Sequence, residues 1–302
     1  ELRSKLVKSG LESVKKFDFK IIFIILINFM KILDYIKHNQ TQHDKVALTY
    51  NSKHSEIYNI YEQNRLEKNL DFCIKYVNSN SSVKVLDFGA GTGNLSRIFL
   101  EKGCTVTACD VSQKSLNVLK DKLTSNNLDT VLYNGLKLPF KDNTFDITAT
   151  YSVLHHIPDY ISAIKEMIRV TKKDGLICID HEANENKWNP SIELIEYNSL
   201  TKQTAFEHIR KLYISKELFN FDFLKTVFIK FFINKKYQRE GDIHVWKDDH
   251  IEWNKIKELI IEEKCEIFKE ENYLMYKPKG GLEIYEKYSK LTNDTKLIVI
   301  KK

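Results

Sequence analysis

Three glycines in five residues, Gly89, Gly91 and Gly93, directly follow the apolar run VKVLDF in a chain of 302 residues that holds only 10 glycines. Glycines placed straight after a buried strand let the backbone turn sharply and let a ligand approach the main chain closely. Asp110 closes the next apolar run, 17 residues beyond Gly93, where a carboxylate can accept hydrogen bonds from a ribose diol. The glycine spacing is GxGxG. A nicotinamide or flavin fingerprint would read GxGxxG, and the positions three beyond Gly91 and Gly93 hold Asn94 and Ser96. A dinucleotide-dependent oxidoreductase is therefore the alternative and not the first reading. Further along stand groups that could move protons: His155 and His156, then Asp180, His181 and Glu182, then a cluster of His244, Trp246, Asp248, Asp249 and His250. Histidine titrates near neutrality, so His155, His156, His181, His244 and His250 are candidate acid–base residues. Each has a plainer reading as a pocket-shaping or solvated side chain. No metal is expected, because the spacing of His244, Asp248 and His250 is unremarkable for a ligand set.

The elements that must carry these residues follow from periodicity. Apolar residues at three- and four-residue spacing predict a helix over 55–77, and the polar stretch 78–82 after it reads as a boundary. From residue 83 short apolar runs alternate with helical segments. Strands are expected at 83–88, 105–109, 131–133, 145–150 and 176–180, with helices at about 94–102, from Ser112 to about 123, and from Pro158 to just before Gly175. Such alternation predicts a parallel sheet with helices on both faces. Between about 185 and 249 the strand rhythm stops and aromatics recur at helical spacing (Phe219, Phe221, Phe223, Phe228, Phe231, Phe232), as in a lid over the sheet. A helix at 251–263 and strands near 265–268 and 297–300 then close the pattern. The expected organisation is a basic, hydrophobic helical segment at 1–45, a helical cap at 46–82, a core at 83–184, a lid insertion at 185–250 and a return to the sheet at 251–302.

Composition narrows the function class. The net charge is +6, but residues 1–40 carry eight Lys/Arg against four Asp/Glu, so most of the excess sits there; of 47 basic residues only six are Arg. That is a poor signature for reading nucleic acid, and none is expected as a partner. Five scattered cysteines without a CxxC read as reduced thiols in a cytoplasmic protein. The run IIFIILINFM at 21–30 is far shorter than the ~20 apolar residues a spanning helix needs. It reads as a buried or interfacial helix, with membrane-surface contact through residues 17–36 as the alternative. The sequence leaves the oligomeric state open.

Four segments in order carry a family resemblance: VLDFGAGTGNLS, ACDVS, YNGLKLPFKDNTFD and YSVLHHIPD. Residues 83–182 resemble a class I S-adenosylmethionine-dependent methyltransferase, in the small-molecule branch that includes quinone-biosynthesis enzymes. The resemblance implies a Rossmann-like sheet of seven strands, mostly parallel with the last antiparallel, and S-adenosyl-L-methionine as cofactor. It also implies roles: Asp87 with Gly89, Ala90, Gly91 and Gly93 around the methionine moiety, Asp110 on the ribose, and Val111 on the adenine. The family's adenine-contacting acid falls at Asn134, beside Gly135 and Leu136; here it is uncharged. Tyr151 would stand near the methyl donor. The implied activity is methyl transfer to a small-molecule acceptor, a hydroxyl on a sugar-like or aromatic compound, seated between the sheet and the 185–250 lid. A catalytically silent cofactor-binding protein is a further alternative. A nucleic-acid methyltransferase would carry a Pro-Pro-Tyr/Phe type motif where this chain has Tyr151-Ser-Val-Leu.

Overall fold

The computed structural model describes residues 19–77, 82–202, 204, 207, 213, 221–233, 235–237 and 241–302. The basic residues expected at 1–18, most of the polar turn at 78–82, and Phe219 lie outside the described residues. In chain order the elements are α1 (Phe19–Val46), α2 (Tyr50–Lys53), α3 (Ile60–Val77), β1 (Lys84–Phe88), α4 (Asn94–Glu101), β2 (Thr105–Asp110), α5 (Gln113–Lys122), β3 (Leu128–Leu132), β4 (Phe145–Tyr151), α6 (Tyr160–Val170), β5 (Thr171–Ala183), α7 (Ile192–Thr201), α8 (Phe221–Phe232), β6 (Val245–Trp246), β7 (Asp249–His250), α9 (Trp253–Glu262), β8 (Glu266–Tyr273), α10 (Gly281–Tyr288) and β9 (Thr295–Lys301). A single 3₁₀ turn, Leu154–His156, lies between β4 and α6.

Seven strands form one sheet in the order β3-β2-β1-β4-β5-β9-β8, with β6 and β7 a separate small hairpin. β1 pairs in parallel with β2 and β4, β2 with β3, and β4 with β5, while β9 runs antiparallel to both β5 and β8. This is the expected architecture of a Rossmann-like class I methyltransferase sheet. The order reverses between β1 and β4, and ligands of such sheets lie beyond the strand ends at that switch point.

Burial on both faces explains why the central strands read as unbroken apolar runs. On one face Ile164, Met167 and Ile168 of α6 and Trp253, Ile256 and Ile260 of α9 pack on the sheet. On the other, Leu66, Leu70 and Cys73 of α3 meet Leu95, Ile98 and Phe99 of α4. Ser112 caps α5 by accepting from the Ser115 N–H, as its position predicts, and Asp159 caps α6 through the Ser162 N–H.

Some boundaries differ from expectation. β3 occupies 128–132 because its register is set by β2, from Val106 opposite Leu128 to Asp110 opposite Leu132. The helix expected to run almost to Gly175 ends at Val170, because Thr171 turns extended and pairs with Phe145. The boundary expected at 45/46 falls within one residue of the end of α1, which runs unbroken from Phe19 to Val46.

Within the hydrophobic run at 21–30, the described side chains Ile24, Leu26, Phe29 and Met30 are exposed, as is Leu33 beyond it. No helix among the described residues is long and apolar enough to cross a membrane. The second half of α1 is docked onto the core: Asp44 accepts from Ser112 Oγ at 2.6 Å, and Ile36 lies against Gly135.

Among the described residues, the end of α1 forms the roof over the switch point. Within the insertion, α7 packs through Leu194 and Tyr197 on Leu274 and Tyr288, and Phe221, Phe231 and Phe232 of α8 point into solvent. Among the described residues of the insertion, Lys187 and the last stretch from Gly241 onward reach the sheet's mouth, where Gly241 abuts Asn39 of α1.

Candidate active site

Two adjoining clefts occupy the carboxyl ends of β1, β4 and β5. The first lies over the glycine turn and holds about 1000 Å³ of atom-free space, counting its open mouth. Its lining includes Asp87, Gly89, Ala90, Gly91, Asp110, Val111, Gly135 and Tyr151, eight of the expected cofactor residues, together with Ile36, Asn39 and His43 from α1.

The turn is built by backbone conformation. Gly89 sits at φ +74°, and a Cβ there would lie 2.6 Å from both Val153 methyls. Gly91, at φ +51°, has nothing within 4 Å of its would-be Cβ, so it faces open cleft. Gly93 does something other than expected. It begins α4 in a left-handed conformation, and a Cβ there would meet Leu119 and Leu123 at 2.9 Å, so its bareness lets α4 and α5 close together. It does not line the cleft.

Two buried acids brace this turn. Asp87 Oδ2 accepts from the Ser96 N–H at 2.9 Å and from Ser96 Oγ at 2.6 Å. Burial pushes its carboxyl up to about 7, and the Asp110 charge adds to the effect. Asp110 Oδ2 accepts from the Gly91 N–H at 2.8 Å and its Oδ1 from the Ser112 N–H at 2.7 Å. Burial raises its pKa too, with backbone donors and the nearby His43 pulling the other way. Each carboxylate oxygen has two lone pairs, so these bonds orient Asp110 and leave it able to accept more.

Asn134 departs from expectation. It is exposed, and its side-chain oxygen is spent on the Leu136 and Lys137 N–H groups at 3.0 and 3.3 Å. Neither Asn134 nor Leu136 lines the cleft. Asn94 does, and sequence reading passed over it. Both atoms of its amide are buried without a hydrogen-bond partner among the described residues. Its position, the residue after the last glycine at the start of α4, was the available signal.

The second cleft shares His43, Tyr50, Ile57, Ser152 and His156 with the first. It gathers six of the chain's nine histidines: His43, His54, His155, His156, His181 and His244. Glu182, at the end of β5, organises one wall. Its Oε1 accepts from the Val153 and Leu154 N–H groups at 2.8 and 2.7 Å, and its Oε2 meets His155 Nδ1 at 2.8 Å. Burial works against charging His155, but the Glu182 carboxylate outweighs it and holds the imidazole above its ordinary pKa. Burial and the neighbouring His155 push His156 well below its own.

His181 stands on a register irregularity of β5, at φ +64°, a conformation that non-glycine residues seldom adopt. Its ring stacks on Tyr151 with centroids 4.7 Å apart. Burial lowers its pKa, with Glu62 and Asp180 opposing, so the ring is neutral at neutral pH. His181 Nδ1 is sealed without a hydrogen bond, 4.0 Å from Glu62 Oε1, which leaves Nε2 as the nitrogen able to meet a molecule in the cleft.

Beneath it lies a buried charge network that sequence spacing could not reveal. Arg65 of α3 holds Glu62 through NH2 and Nε at 2.5 and 3.1 Å, and Asp180 through NH2 at 3.0 and 3.2 Å. Tyr151 donates to Glu62 at 2.8 Å, and Tyr273 donates to Asp180 at 3.0 Å.

His244 and His250 are placed differently from expectation. His244 lines the second cleft, but Nδ1 meets Asp249 at 2.5 Å and Nε2 the Ile157 carbonyl at 3.1 Å, so both nitrogens are engaged in holding the loop. His250 lines neither cleft. It rests on the Trp246 carbonyl and stacks near Trp188. Asp248 is exposed and paired with Lys236, so the trio His244, Asp248 and His250 does not converge.

Residues 86–179 match the family described as a methyltransferase domain. Demethylmenaquinone methyltransferases of Staphylococcus aureus are similar over 152 residues, at 34% identity for strain MRSA252 and 33% for strain JH9, spanning 48% of this chain. The chain spans 62% of the length of these curated relatives. Among solved structures, a chain from the complex of the Haloferax volcanii Trm112 methyltransferase activator with a methyltransferase superposes with a TM-score of 0.50 at 14% identity, covering 86% of this chain and 96% of its own; this likeness is one of fold. Residues 86–179 thus match a methyltransferase domain, set in a sheet of the class I S-adenosylmethionine-dependent methyltransferase type. S-adenosylmethionine is the cofactor of that class. The first cleft suits it: an open approach at Gly91, an unpartnered amide at Asn94 and an oriented carboxylate at Asp110 are the donors and acceptors an amino-acid and ribose group need.

Proposed function

We propose that this protein methylates a hydroxyl on a small sugar-like or aromatic ring compound, which binds in the histidine-lined cleft beside the cofactor. The observation that carries the reading is the pair of clefts sharing one wall, His43, Tyr50, Ile57, Ser152 and His156. A donor in one and an acceptor in the other would meet with water excluded. In the first cleft the backbone at 89–91 and the Asn94 amide would hold the methionine moiety. Asp110 would take the ribose hydroxyls, with Val111 and Gly135 flanking the base. Bound S-adenosylmethionine supplies a methyl group already activated by its sulfonium.

The chain's own task is then to align the acceptor and to take its proton. His181 Nε2 is the atom proposed to accept that proton. Burial keeps the ring neutral beforehand, and Glu62 and Asp180 stabilise the positive charge that forms. His155 is instead tied at Nδ1 to Glu182 Oε2 and is not assigned the role. Tyr50, Ile57, Ile251 and Met275 give the cleft an apolar side, and the imidazoles give it a polar one, which is the pattern an oxygenated ring would match. The curated relatives are named for demethylmenaquinone, a quinone, which supports a ring acceptor.

The exposed apolar residues of α1 and α8 support a role in membrane-surface contact, bringing the clefts close to an apolar source of acceptor. The test is transfer of labelled methyl from S-adenosylmethionine to a panel of phenols, quinols and sugars. His181→Asn should lower kcat by about 10²- to 10⁴-fold while leaving S-adenosylmethionine affinity unchanged. Transfer to no hydroxyl compound, or full activity in His181→Asn, would remove the reading.

A further inference from the structure

One group of side chains in the second cleft is not used by the proton transfer above. His155, His156 and Asp242 each bring a ligating atom within 4.8 Å of the other two. We propose that these three residues form a binding site for a divalent transition-metal ion, of the zinc type, with its remaining coordination positions open to the acceptor cleft.

The argument begins with a pair of atoms that are close without bonding. His156 Nδ1 lies 3.1 Å from Asp242 Oδ1, yet the geometry is not that of a hydrogen bond, and Nδ1 is buried without a hydrogen-bond partner among the described residues. Two atoms bound to one ion at about 2.1 Å, at right or tetrahedral angles, lie roughly 3.0–3.4 Å apart. The observed separation falls in that range. A cation between imidazole and carboxylate would satisfy both.

The third ligand is oriented for the same task. Glu182 Oε2 takes Nδ1 of His155, so the ring's other nitrogen, Nε2, carries the lone pair. A carboxylate behind a histidine is the usual support for a metal ligand, fixing its tautomer and raising its basicity. Glu182 also anchors the start of the 3₁₀ turn that carries both histidines, through the Val153 and Leu154 N–H groups.

Asp242 comes from far along the chain and is pinned in place. The N–H groups of the next two residues, Ile243 and His244, both donate to the His155 carbonyl, at 3.0 and 3.1 Å. The loop is thus stitched to the residue whose ring it must complement. Two imidazoles and one carboxylate favour a transition ion over magnesium or calcium, which prefer all-oxygen sets. Three protein ligands leave room for a water or a hydroxyl oxygen of an acceptor. That last use rests on the methyl-transfer reading; the binding of the ion does not.

The experiment uses the full chain, stripped with chelator and dialysed against Zn2+ alone, with Co2+ as a spectroscopic probe. Wild type should retain one equivalent of Zn2+ per chain, and bound Co2+ should show visible bands of a nitrogen-ligated, low-coordinate ion. His156→Ala and Asp242→Ala should each lose at least 10-fold in Zn2+ affinity, and Glu182→Gln should lose about 10-fold through the support of His155. Asp242 sits on a half-buried loop, so its variant is expected to fold, and S-adenosylhomocysteine binding by calorimetry checks that it has. Zn2+ binding without S-adenosylhomocysteine binding would uphold the metal site while removing the cofactor reading. No retained Zn2+ in wild type, or equal retention in the folded Asp242→Ala and His156→Ala proteins, overturns the proposal.

Discussion

Replacing Arg65 by methionine tests the buried charge network beneath the clefts. Arg65 is the cation between two carboxylates that are almost fully sealed, Glu62 at 3% and Asp180 at 1% side-chain exposure. Its guanidinium also lies 3.6 Å over the Tyr273 ring. Methionine keeps much of the stem and removes the charge. Breaking a buried ion pair by deleting one partner costs about 3–5 kcal/mol, because the survivor is left uncompensated. For a chain of this size that is a fall in Tm of roughly 6–10 °C.

The pH dependence gives a second handle. Without Arg65, burial raises the folded-state pKa of Glu62 and Asp180 above the unfolded values. Stability from that proton uptake is then present at low pH and lost as pH rises through the raised values. The gap between wild type and variant should therefore widen from pH 5 to pH 8. Combining Arg65→Met with Glu62→Gln and Asp180→Asn removes the orphaned charges and should recover most of the loss. The assay is urea and thermal unfolding at both pH values, without cofactor. A loss below about 1 kcal/mol, set against the several expected of a buried pair, would refute the reasoning, as would a loss that is the same at pH 5 and pH 8.

The remaining predictions concern the first cleft and the outer helix. Asp110→Ala should abolish S-adenosylhomocysteine binding by calorimetry with the fold retained; unchanged affinity would remove the ribose role. Gly91→Ala, which meets nothing on the protein side, should cost only about 1–2 kcal/mol of stability for its positive φ yet weaken cofactor binding at least tenfold. Gly89→Ala, which collides with Val153, should destabilise more than Gly91→Ala in the same unfolding assay. Asp87 has its folded pKa raised to about 7, so between about pH 4 and 7 the fold keeps a proton that the unfolded chain releases, and stability falls progressively as pH climbs through that range. Asp87→Asn should therefore gain in Tm relative to wild type over that range, with the gain flat above pH 7.5 or so. Phe29→Glu and Phe231→Glu together should abolish co-sedimentation with anionic vesicles, if the exposed faces of α1 and α8 bind a membrane surface.

What the sequence disclosed was what is local. The turn at 89–93 follows β1 directly, Asp110 ends the next strand, and Ser112 caps the helix after it, so spacing alone placed them. The switch-point position of the first cleft follows from strand–helix alternation. What stayed hidden depends on distant pairing. Arg65 meets Asp180 across 115 residues, and nothing in the α3 repeat marks it as more than a surface arginine. The polar residues 38–44 end a continuous helix whose Asn39 and His43 face a cleft, a placement that their composition does not disclose. Nothing in the local sequence marks Asp242, and the bonds from Ile243 and His244 to His155 bring it beside two histidines. The aromatics of the insertion pointed the wrong way in the literal sense: their helical spacing was real, but in α8 that face turns outward.

The docking of α1 also has a consequence for the order in which the molecule can be made. Its seat is assembled from Ser112, Gly135 and Gly241, the last about two hundred residues downstream of the Asn39 it touches. At ordinary rates of synthesis the ribosome takes roughly 10–40 s to travel that far. Throughout this interval the segment has been made while its seat is incomplete. A nascent chain therefore carries the α1 segment ahead of an unfinished core, and its contact with Gly241 forms only when the far end of the insertion has emerged. Chaperone capture during translation, and sensitivity of yield to anything that slows elongation between residues 135 and 241, follow from that geometry.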